Sequence, residues 1–518
     1  MIRLIFQSEG AERRSDRETM EDFYYRAIYQ VQQAPDNYVH KATALKSLKA
    51  KIIGLHSVQR HGILLDSGDP DRIVGEELSI HLFIHAIKRQ KARTVTQIYD
   101  QEGTLHTSSA DILRSFAAYM RQKYDHIPID DESIRRMVDC GTKKILTAAH
   151  VALEEPITKD ELLHAIRKGK TNKAPGRDGI CLAFFTRTWD LTKRDMLTLM
   201  NNLYIDGILT NNQKHGILVC IPKTAHPTRI EEYRPLTLLN TDYKLLARII
   251  ANRLRPWIPH VLQPIQFCGL QENTVFEAVI TVRDAVAYVN TTRTPLCAVT
   301  IVFKEAFDKI SHSYLFAILK EYGFSEQFQQ RIRRMYDNAT STIQINGHRS
   351  GPIPIRSSVR QGCPMSMLLY ALCLNPLLCT LENKLTGLRI ERRGPKTAVV
   401  AYADDVTLFV TSPDDVTVMQ DALRCYEAAS GTKVNIGKSK AIAIGPWDTS
   451  VRIMDIPYYT ETRILGFHLM TTVNASAIRS WSKMTDRIRA QARDAFNREL
   501  SLDKRIQHVH DYLMAKVW

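Results

Sequence analysis

The sequence lacks the features that define several common protein classes. Its nine cysteines are an odd number, are widely scattered and form no CxxC pair. This pattern argues against a disulfide framework and against a thiolate zinc site, and it is typical of a reducing compartment. There is also no internal repeat and no low-complexity tract. We therefore expect an intracellular globular protein, nuclear or cytoplasmic, that is not secreted.

Long apolar runs and targeting segments are absent as well. The most apolar stretch, residues 368–381, contains Asn375 and Pro376 and is too short to span a bilayer. The first residues, MIRLIFQSEGAERR, become charged too soon for a secretory signal. We expect no membrane association. His81 and His85 could share one helix face, but without further ligands such a pair is more often structural than metal-binding.

Acidic residues are fewer than basic ones. The 518 residues include 70 Lys+Arg against 55 Asp+Glu, which gives a formal net charge of +15. An excess of this size favours a polyanionic partner, because neutralising phosphates releases condensed counterions. Charge alone favours nucleic acid only slightly over a basic protein with no such partner.

The spacing of apolar residues predicts a mostly helical first part. Helices are predicted over residues 22–34, 42–56, 86–91 and 109–124. A new unit is predicted to open with a helix at Thr158, where Thr158 and Glu161 match a capping box. That helix is expected to end in the basic, glycine-rich loop of residues 168–179.

After this loop, helices alternate with short strands, which predicts an α+β fold. Helices are predicted over residues 240–255, 413–430 and 475–518, the second with Ser412 as its N-cap and Gly431 at its end. The strands are predicted over residues 216–221, 297–303, 342–345 and 398–410.

Two adjacent carboxylates, Asp404 and Asp405, lie between two β-type runs, in the sequence AYADD. Like charges this close at a hairpin tip are costly without a cation, and carboxylate oxygens suit Mg²⁺. A solvated Asp-Asp turn explains an isolated pair equally well, so the surrounding sequence has to decide.

The segment YADDVTLFV resembles the [YF]xDD hairpin of reverse transcriptases, and further blocks resemble segments of the non-LTR (LINE-type) class in the expected order. They are IPKTAHPTRIEEYRPLTLLNTDYKLLARIIANRL (221–254), SVRQGCPMS (358–366), ASGTKVN with the following KS (429–439), and ILGF (464–467). Together the blocks cover about residues 155–470. Five blocks in order carry the resemblance, whereas one alone would not.

The resemblance implies a site for nucleotidyl transfer by two metal ions. Asp404 would be a metal ligand and Asp405 its partner or close neighbour. Two Mg²⁺ ions are expected, with Mn²⁺ as the alternative. Lys438 would protonate the leaving pyrophosphate, although a lysine on a solvated hairpin is nearly as good an explanation.

The resemblance also implies a nucleotide pocket. Lys223 and Arg234 would bind the incoming triphosphate, as a point charge and as a fork of donors. Gln361 and Gly362 would line the pocket, the glycine permitting close backbone approach. Phe307 would block a ribose 2′-hydroxyl. Surface salt bridging explains Lys223 and Arg234 equally well, and burial in a helix is compatible with the role of Phe307.

One block departs from the family pattern. An aspartate is expected six residues before the aspartate of the AFD triplet, which is Asp308, but that position holds Val302. Asp308 is expected at the start of the next helix and too far away to substitute, and Glu305 is nearer but not on the strand. Losing a bridging carboxylate at a cost of ~4 kcal/mol would slow the reaction about a thousandfold.

The resemblance thus predicts a right-hand polymerase with a helical extension at residues 1–155, fingers at 156–295, palm at 296–470 and the start of a thumb, expected to be truncated, at 471–518. Its partners would be an RNA template, a DNA primer and deoxynucleoside triphosphates. The endonuclease that such elements carry is expected to be missing. The alternatives are a catalytically dead nucleic-acid-binding protein and, less well supported, an RNA-templated RNA polymerase.

Overall fold

The computed structural model describes residues 94–496 except 142, 172, 208, 225, 269–273, 391–393 and 395. The chain divides into two compact units. One is Val95–Trp481, and the other combines Met1–Thr94 with Ser482–Trp518. The elements described below lie in the first unit, apart from the end of the last helix.

Several predictions fall outside the described residues. These are the helices over residues 22–34, 42–56 and 86–91, the pair His81 and His85, and the helical tail after residue 496.

The α-helices of the described residues are α1 (Ser109–Lys123), α2 (Asp131–Val138), α3 (Thr147–Glu154), α4 (Lys159–Arg167), α5 (Leu182–Arg187), α6 (Trp189–Asn201), α7 (Asn211–Lys214), α8 (Thr241–Leu254), α9 (Ile258–Val261), α10 (Val275–Thr292), α11 (His312–Glu321), α12 (Glu326–Tyr336), α13 (Ser366–Lys384), α14 (Pro413–Ser430) and α15 (Val473–Phe496). A π-helical turn at Asn202–Asp206 follows α6, and a 3₁₀ turn lies at Ile230–Glu232.

The strands of the described residues are β1 (Ile98–Tyr99), β2 (Leu105–His106), β3 (Gly216–Pro222), β4 (Tyr233–Leu238), β5 (Leu296–Ile301), β6 (Phe303–Lys304), β7 (Thr340–Ile345), β8 (His348–Arg349), β9 (Ile353–Pro354), β10 (Val399–Tyr402), β11 (Asp405–Val410), β12 (Lys433–Val434), β13 (Lys440–Ile444), β14 (Glu461–Ile464) and β15 (Phe467–Met470).

Helix ends agree well with the local signals in the sequence. The predicted capping box at Thr158 is confirmed: its side chain accepts from the Glu161 N–H, and the Glu161 carboxylate accepts from the Thr158 N–H. Helix α14 begins after Ser412, which accepts from the Asp415 N–H, and ends at Gly431 with φ +84°. Local chemistry therefore sets these boundaries.

The central sheet contains strands β10, β11, β5 and β13 in this order, and all neighbours are antiparallel. Alternate residues of β5 face two different cores. Cys297, Val299 and Ile301 belong to one core, and Leu296 and Ala298 belong to another. Both faces of the sheet are thus covered, which explains why its strands are nearly continuous apolar runs.

A lateral sheet contains strands β4, β3, β7 and β8, with β9 also paired to β7. Helix α1 covers this sheet. Its residues Phe116 and Met120 share a separate core with Leu218, Tyr233 and Ile343. The rings of Phe116 and Tyr233 meet edge to face at 5.3 Å. Helix α1, which precedes the first family block, therefore packs on the sheet that contains the start of that block.

The prediction of one strand over residues 297–303 is wrong at its end. The chain leaves β5 before Val302, and β6 pairs with β12 instead of continuing in the central sheet. The cause is a neighbouring loop that forms hydrogen bonds with both the N–H and the carbonyl of Val302. The Val302 N–H donates to the Ser439 hydroxyl at 3.1 Å, and its carbonyl accepts from the Asn435 N–H at 2.7 Å.

The placement of Asp308 at a helix start is also wrong. Residues 305–308 form a turn, and α11 begins only at His312. Glu305 in this turn has φ +55°, a left-handed conformation that side chains other than glycine rarely adopt. Asp308 is 1% exposed and contacts a lysine of α1 instead of capping a helix. A tertiary contact overrides the local expectation.

The apolar stretch at residues 368–381 lies in α13, which continues through Pro376. The buried Asn375 side chain accepts from the Gln263 N–H at 2.8 Å and donates to the Tyr322 hydroxyl at 2.8 Å. Among the described residues, no helix combines the length and the apolar character needed to cross a membrane.

Candidate active site

The hairpin of β10 and β11 carries the aspartate pair at its tip. Ala403 takes a left-handed conformation, with φ +55°. The buried Gln266 side chain holds this residue from both sides: it accepts from the Ala403 N–H at 3.0 Å and donates to the Ala403 carbonyl at 3.3 Å. The position of Asp404, the next residue, is therefore fixed by a side chain that the sequence analysis did not identify.

Strand β5 brings Val302 beside this hairpin. In the antiparallel register, Val406 of β11 lies opposite Ile301 of β5. One position further along both strands, Val302 and Asp405 are neighbours. Val302, at the position where the family pattern has an aspartate, therefore lies next to the aspartate pair.

A cavity of about 1350 Å³ opens in front of these segments. It is lined by most of the residues proposed from the motifs, namely Lys223, Arg234, Val302, Phe307, Gln361, Gly362, Asp404 and Lys438. Asp405 is not among the lining residues. Seven basic residues line the cavity, Lys123, Lys223, Arg234, Lys304, Lys309, Lys433 and Lys438, against five carboxylates, Glu231, Glu232, Glu305, Asp308 and Asp404. The excess of positive charge suits a polyanionic ligand.

Arg234 lies on β4, Lys223 directly follows the adjacent strand β3, and both line the cavity. Both side chains are exposed, and the Lys223 ammonium donates to the Glu231 carbonyl at 2.7 Å. Partial burial and the nearby cations Lys123 and Lys438 lower the pKa of Lys223. A site that disfavours an additional positive charge favours the arrival of an anion.

The loop with Gln361 and Gly362 is held against β4. The Gln361 carbonyl accepts from the Thr237 N–H at 2.9 Å. Gly362 has φ +107°, and a Cβ atom there would lie 2.5 Å from the Thr237 carbonyl oxygen. The glycine is thus required by the close approach of β4, whether or not it also approaches a nucleotide.

Phe307 lies on the cavity wall and stacks on the Tyr370 ring, with centroids 4.5 Å apart. It belongs to the turn before α11 rather than to a helix. Lys438 is exposed and also lines the cavity, in the loop that holds Val302. The structure therefore brings every proposed site residue to this one region, although Asp405 stands outside the cavity lining.

Comparison with known proteins gives the family. Residues 221–469 match the family model described as reverse transcriptase (RNA-dependent DNA polymerase). The uncharacterized 149 kDa protein of transposon TX1 from Xenopus laevis is 31% identical over 365 residues, which are 70% of this chain and 28% of that protein. The retrovirus-related Pol polyprotein from type-2 retrotransposable element R2DM of Drosophila melanogaster is 24% identical over 318 residues, 61% of this chain and 27% of that protein.

This chain belongs to the reverse transcriptases of non-LTR retrotransposons. The resemblance inferred from the motifs is confirmed. The predicted α+β fold of a right-hand polymerase is confirmed as well. The family is one of RNA-directed DNA polymerases. The chain spans 28% and 27% of the length of the two relatives. The chain is also similar to apo telomerase from Candida tropicalis, truncated from its C-terminal domain, over 54% of this chain and 59% of that chain, at 13% identity and a TM-score of 0.36.

Reverse transcriptases use divalent metal ions, and the residues present do not fit a pair of them. Burial raises the pKa of Asp404, although the nearby Arg234 lowers it. Burial also raises the pKa of Asp405, and the negative charge of Asp404 raises it further. Asp404 and Asp405 are the two carboxylates at the hairpin tip that could contact a cation. Val302 adds no carboxylate, and its carbonyl is already hydrogen-bonded. Among the described residues, no three His, Cys, Asp or Glu side chains are grouped so that they could hold a metal ion.

The sequence analysis missed the residues that support the pocket from behind. The Lys123 ammonium contacts Glu305 at 2.8 Å and Asp308 at 2.9 Å. Burial alone would lower the pKa of Lys123, but Asp308 and Glu305 outweigh it and raise that pKa. Arg360, 2% exposed, donates to the Lys214 carbonyl. Neither contact has a local signal, because the partners are far apart in the sequence.

His312 should make the stability of the folded protein sensitive to acid. Its Nε2 atom lies 3.0 Å from the Ser358 carbonyl, and burial lowers its pKa from 6.5 to about 4. The imidazole therefore stays neutral in the folded protein down to pH about 4, whereas in the unfolded chain it takes up a proton below about 6.5. Stability from this group is complete above that value and is lost as the pH falls.

We expect the His312→Gln variant to lose about 2 kcal/mol less unfolding free energy between pH 7 and pH 5 than the parent chain. Chemical denaturation at the two pH values measures this difference. An equal pH dependence of parent and variant would show that His312 is not the responsible group.

Proposed function

We propose that this chain is the polymerase portion of a reverse transcriptase that binds an RNA template, a DNA primer and a deoxynucleoside triphosphate in the cavity, and that Val302 strongly weakens its nucleotidyl transfer. The observation that carries the proposal is the position of Val302, next to the Asp404–Asp405 hairpin on the neighbouring strand. The proposal is supported by Lys223, Arg234, Phe307, Gln361 and Gly362, which line the same cavity as Val302.

The proposed contributions of the side chains are those that the family resemblance implies, and their positions in the cavity support them. Lys223 and Arg234 would hold phosphate oxygens, Arg234 through two parallel donors. Phe307, which is fixed by Tyr370, would place its ring where a ribose 2′-hydroxyl would clash. Lys438 would supply a proton to the departing pyrophosphate.

The metal requirement is part of the proposal. A divalent cation, Mg²⁺ or Mn²⁺, would neutralise charge that builds up on the transferring phosphoryl group. Asp404 would contact it, with Asp405 as partner or close neighbour. This chain has two carboxylates for binding metal at the site, whereas the family pattern has three. We therefore expect substrate binding to be retained while the chemical step is slow.

A purely binding protein is the second candidate, and one observation favours it. The described residues contain no group of three metal-ligating side chains, yet the cavity and its basic side chains are present.

The proposed division into a helical extension (1–155), fingers (156–295), palm (296–470) and the start of a thumb (471–518) stays a proposal. The same holds for a nuclear or cytoplasmic location.

Nucleotide binding tests the proposal without requiring catalysis. The parent chain is incubated with a primer annealed to an RNA template, and the dissociation constant of the next complementary deoxynucleoside triphosphate is measured. We expect Lys223→Ala and Arg234→Ala to raise this constant about 10-fold to 100-fold, since each removes a charged donor worth about 1.5–3 kcal/mol.

The matched control is Lys320→Ala, which removes one positive charge from an exposed position of α11 outside the cavity lining. It should leave the constant unchanged. If the parent chain binds neither the primer–template nor the nucleotide, or if all three variants bind alike, the proposed use of this cavity is wrong.

A further inference from the structure

The helix α1 ends in the wall of the nucleotide cavity. It lies well before residue 221, where the match to the reverse transcriptase family begins. Its last residue, Lys123, is only 3% exposed and lines the cavity. A lysine is almost never buried to this degree unless it is paired. Its partners therefore indicate what it does.

Four side-chain contacts join the end of α1 to the turn of residues 305–308. The Lys123 ammonium lies 2.8 Å from a Glu305 oxygen and 2.9 Å from an Asp308 oxygen. The Tyr119 hydroxyl donates to the same Glu305 oxygen at 2.8 Å, and the Tyr124 hydroxyl donates to Asp308 at 3.4 Å. One lysine thus pairs with two carboxylates, and each carboxylate also accepts from one tyrosine hydroxyl.

The turn needs this support. Glu305 has φ +55°, which costs free energy in any residue with a side chain. Asp308 is 1% exposed and lies close to Glu305, so the two carboxylates would repel each other in a weakly hydrated site. Without Lys123, both carboxylates would lose their ion-pair partner and keep only the nearby cation Lys309, and the turn would have to rearrange or take up protons.

The same turn carries parts of the nucleotide pocket. The Asp308 carboxylate accepts from the Gln361 side chain at 3.2 Å, and the Phe307 carbonyl accepts from the Val359 N–H at 3.0 Å. Both Phe307 and Gln361 line the cavity. A shift of the turn would therefore move the ring proposed to sense the sugar and the amide proposed to face the nucleotide.

We propose that Lys123 is a positioning residue of the nucleotide pocket, which holds the turn of residues 305–308 and thereby sets the selection of deoxynucleotides over ribonucleotides. This inference rests on the proposed function of the cavity. It gives the segment before the family blocks a direct part in substrate selection. Lys123 does not have to touch the nucleotide for this role.

The first measurement requires no catalysis. Hydrogen exchange of the amides at residues 303–309 is compared in the parent chain, in Lys123→Met and in Lys320→Met, which removes an equal charge outside the cavity lining. We expect faster exchange only in Lys123→Met. Combining Lys123→Met with Glu305→Gln and Asp308→Asn removes the uncompensated carboxylates and should return exchange toward the parent rate. Unchanged exchange in Lys123→Met overturns the inference.

The second measurement uses the Val302→Asp chain and primer extension on an RNA template. Adding Lys123→Met should raise KM for deoxynucleotides and lower the ratio of kcat/KM for deoxynucleotides over ribonucleotides, each by about 10-fold to 100-fold, with a smaller change in kcat. A loosened turn with an unchanged ratio overturns the role in selection. Absence of extension in Val302→Asp itself contradicts the proposed function instead, and the exchange result still decides whether Lys123 holds the turn.

Discussion

Restoring aspartate at position 302 is expected to raise the rate of primer extension on an RNA template about a thousandfold. Val302 lies beside Asp405 on the neighbouring strand and also lines the cavity with Asp404. An aspartate there would add a third carboxylate to a site that works by charge compensation, worth ~4 kcal/mol of transition-state stabilisation. The new activity should require Mg²⁺ or Mn²⁺ and should disappear with a chelator.

The matched control is Val302→Asn, which has nearly the same size and shape as Val302→Asp but no charge. It should stay at the level of the parent chain. Binding of the primer–template should be similar in all three proteins, because the substitution does not remove any phosphate contact. If Val302→Asp folds, binds the primer–template and still fails to extend it, the polymerase assignment of this site is contradicted.

The second large effect concerns the two adjacent aspartates. In the Val302→Asp chain, Asp404→Asn should return extension to the level of the Val302 parent, a loss of about a thousandfold. Asp405→Asn should cost less, about tenfold. The reason is their placement, because Asp404 lines the cavity whereas Asp405 does not. The expected magnitudes follow from removing either a direct ligand or a neighbouring charge at a metal site.

Single-turnover extension measures both losses without interference from product release. Asp414→Asn offers a control, since it neutralises an aspartate in the first turn of α14, away from the cavity lining. Equal losses in Asp404→Asn and Asp405→Asn would show that the two carboxylates act as one unit. A larger loss in Asp405→Asn would reverse the proposed roles.

The sequence predicted much of the site because the family blocks are local. The AYADD hairpin, the RQG loop and the lysine and arginine before α8 each form a short continuous motif, and the structure brings them to one cavity. Helix boundaries such as Thr158 and Gly431 were predicted for the same reason, since caps depend on neighbouring residues only. The missing carboxylate at Val302 could be identified by counting residues.

What could not be predicted depends on contacts between distant segments. The strand ends before Val302 because Ser439 and Asn435 take its backbone groups. Asp308 does not begin a helix because Lys123, on α1, holds it in a turn. The residues around Ser439, Asn435 and Lys123 in the sequence do not indicate these three contacts. The roles of the individual site residues likewise stay predictions until they are tested.

The sequence by itself determined the family, the order of the motifs and the loss of one carboxylate, because each motif is a short continuous segment and their order can be compared without knowing any tertiary contact. Only the tertiary structure decided where the pocket gets its support. An ion pair between Lys123 and Asp308 requires the packing of α1 on the lateral sheet, through Phe116 and Met120, before the two charges can meet. Burial then makes that pair matter, since a charge removed from water must be compensated where it lies.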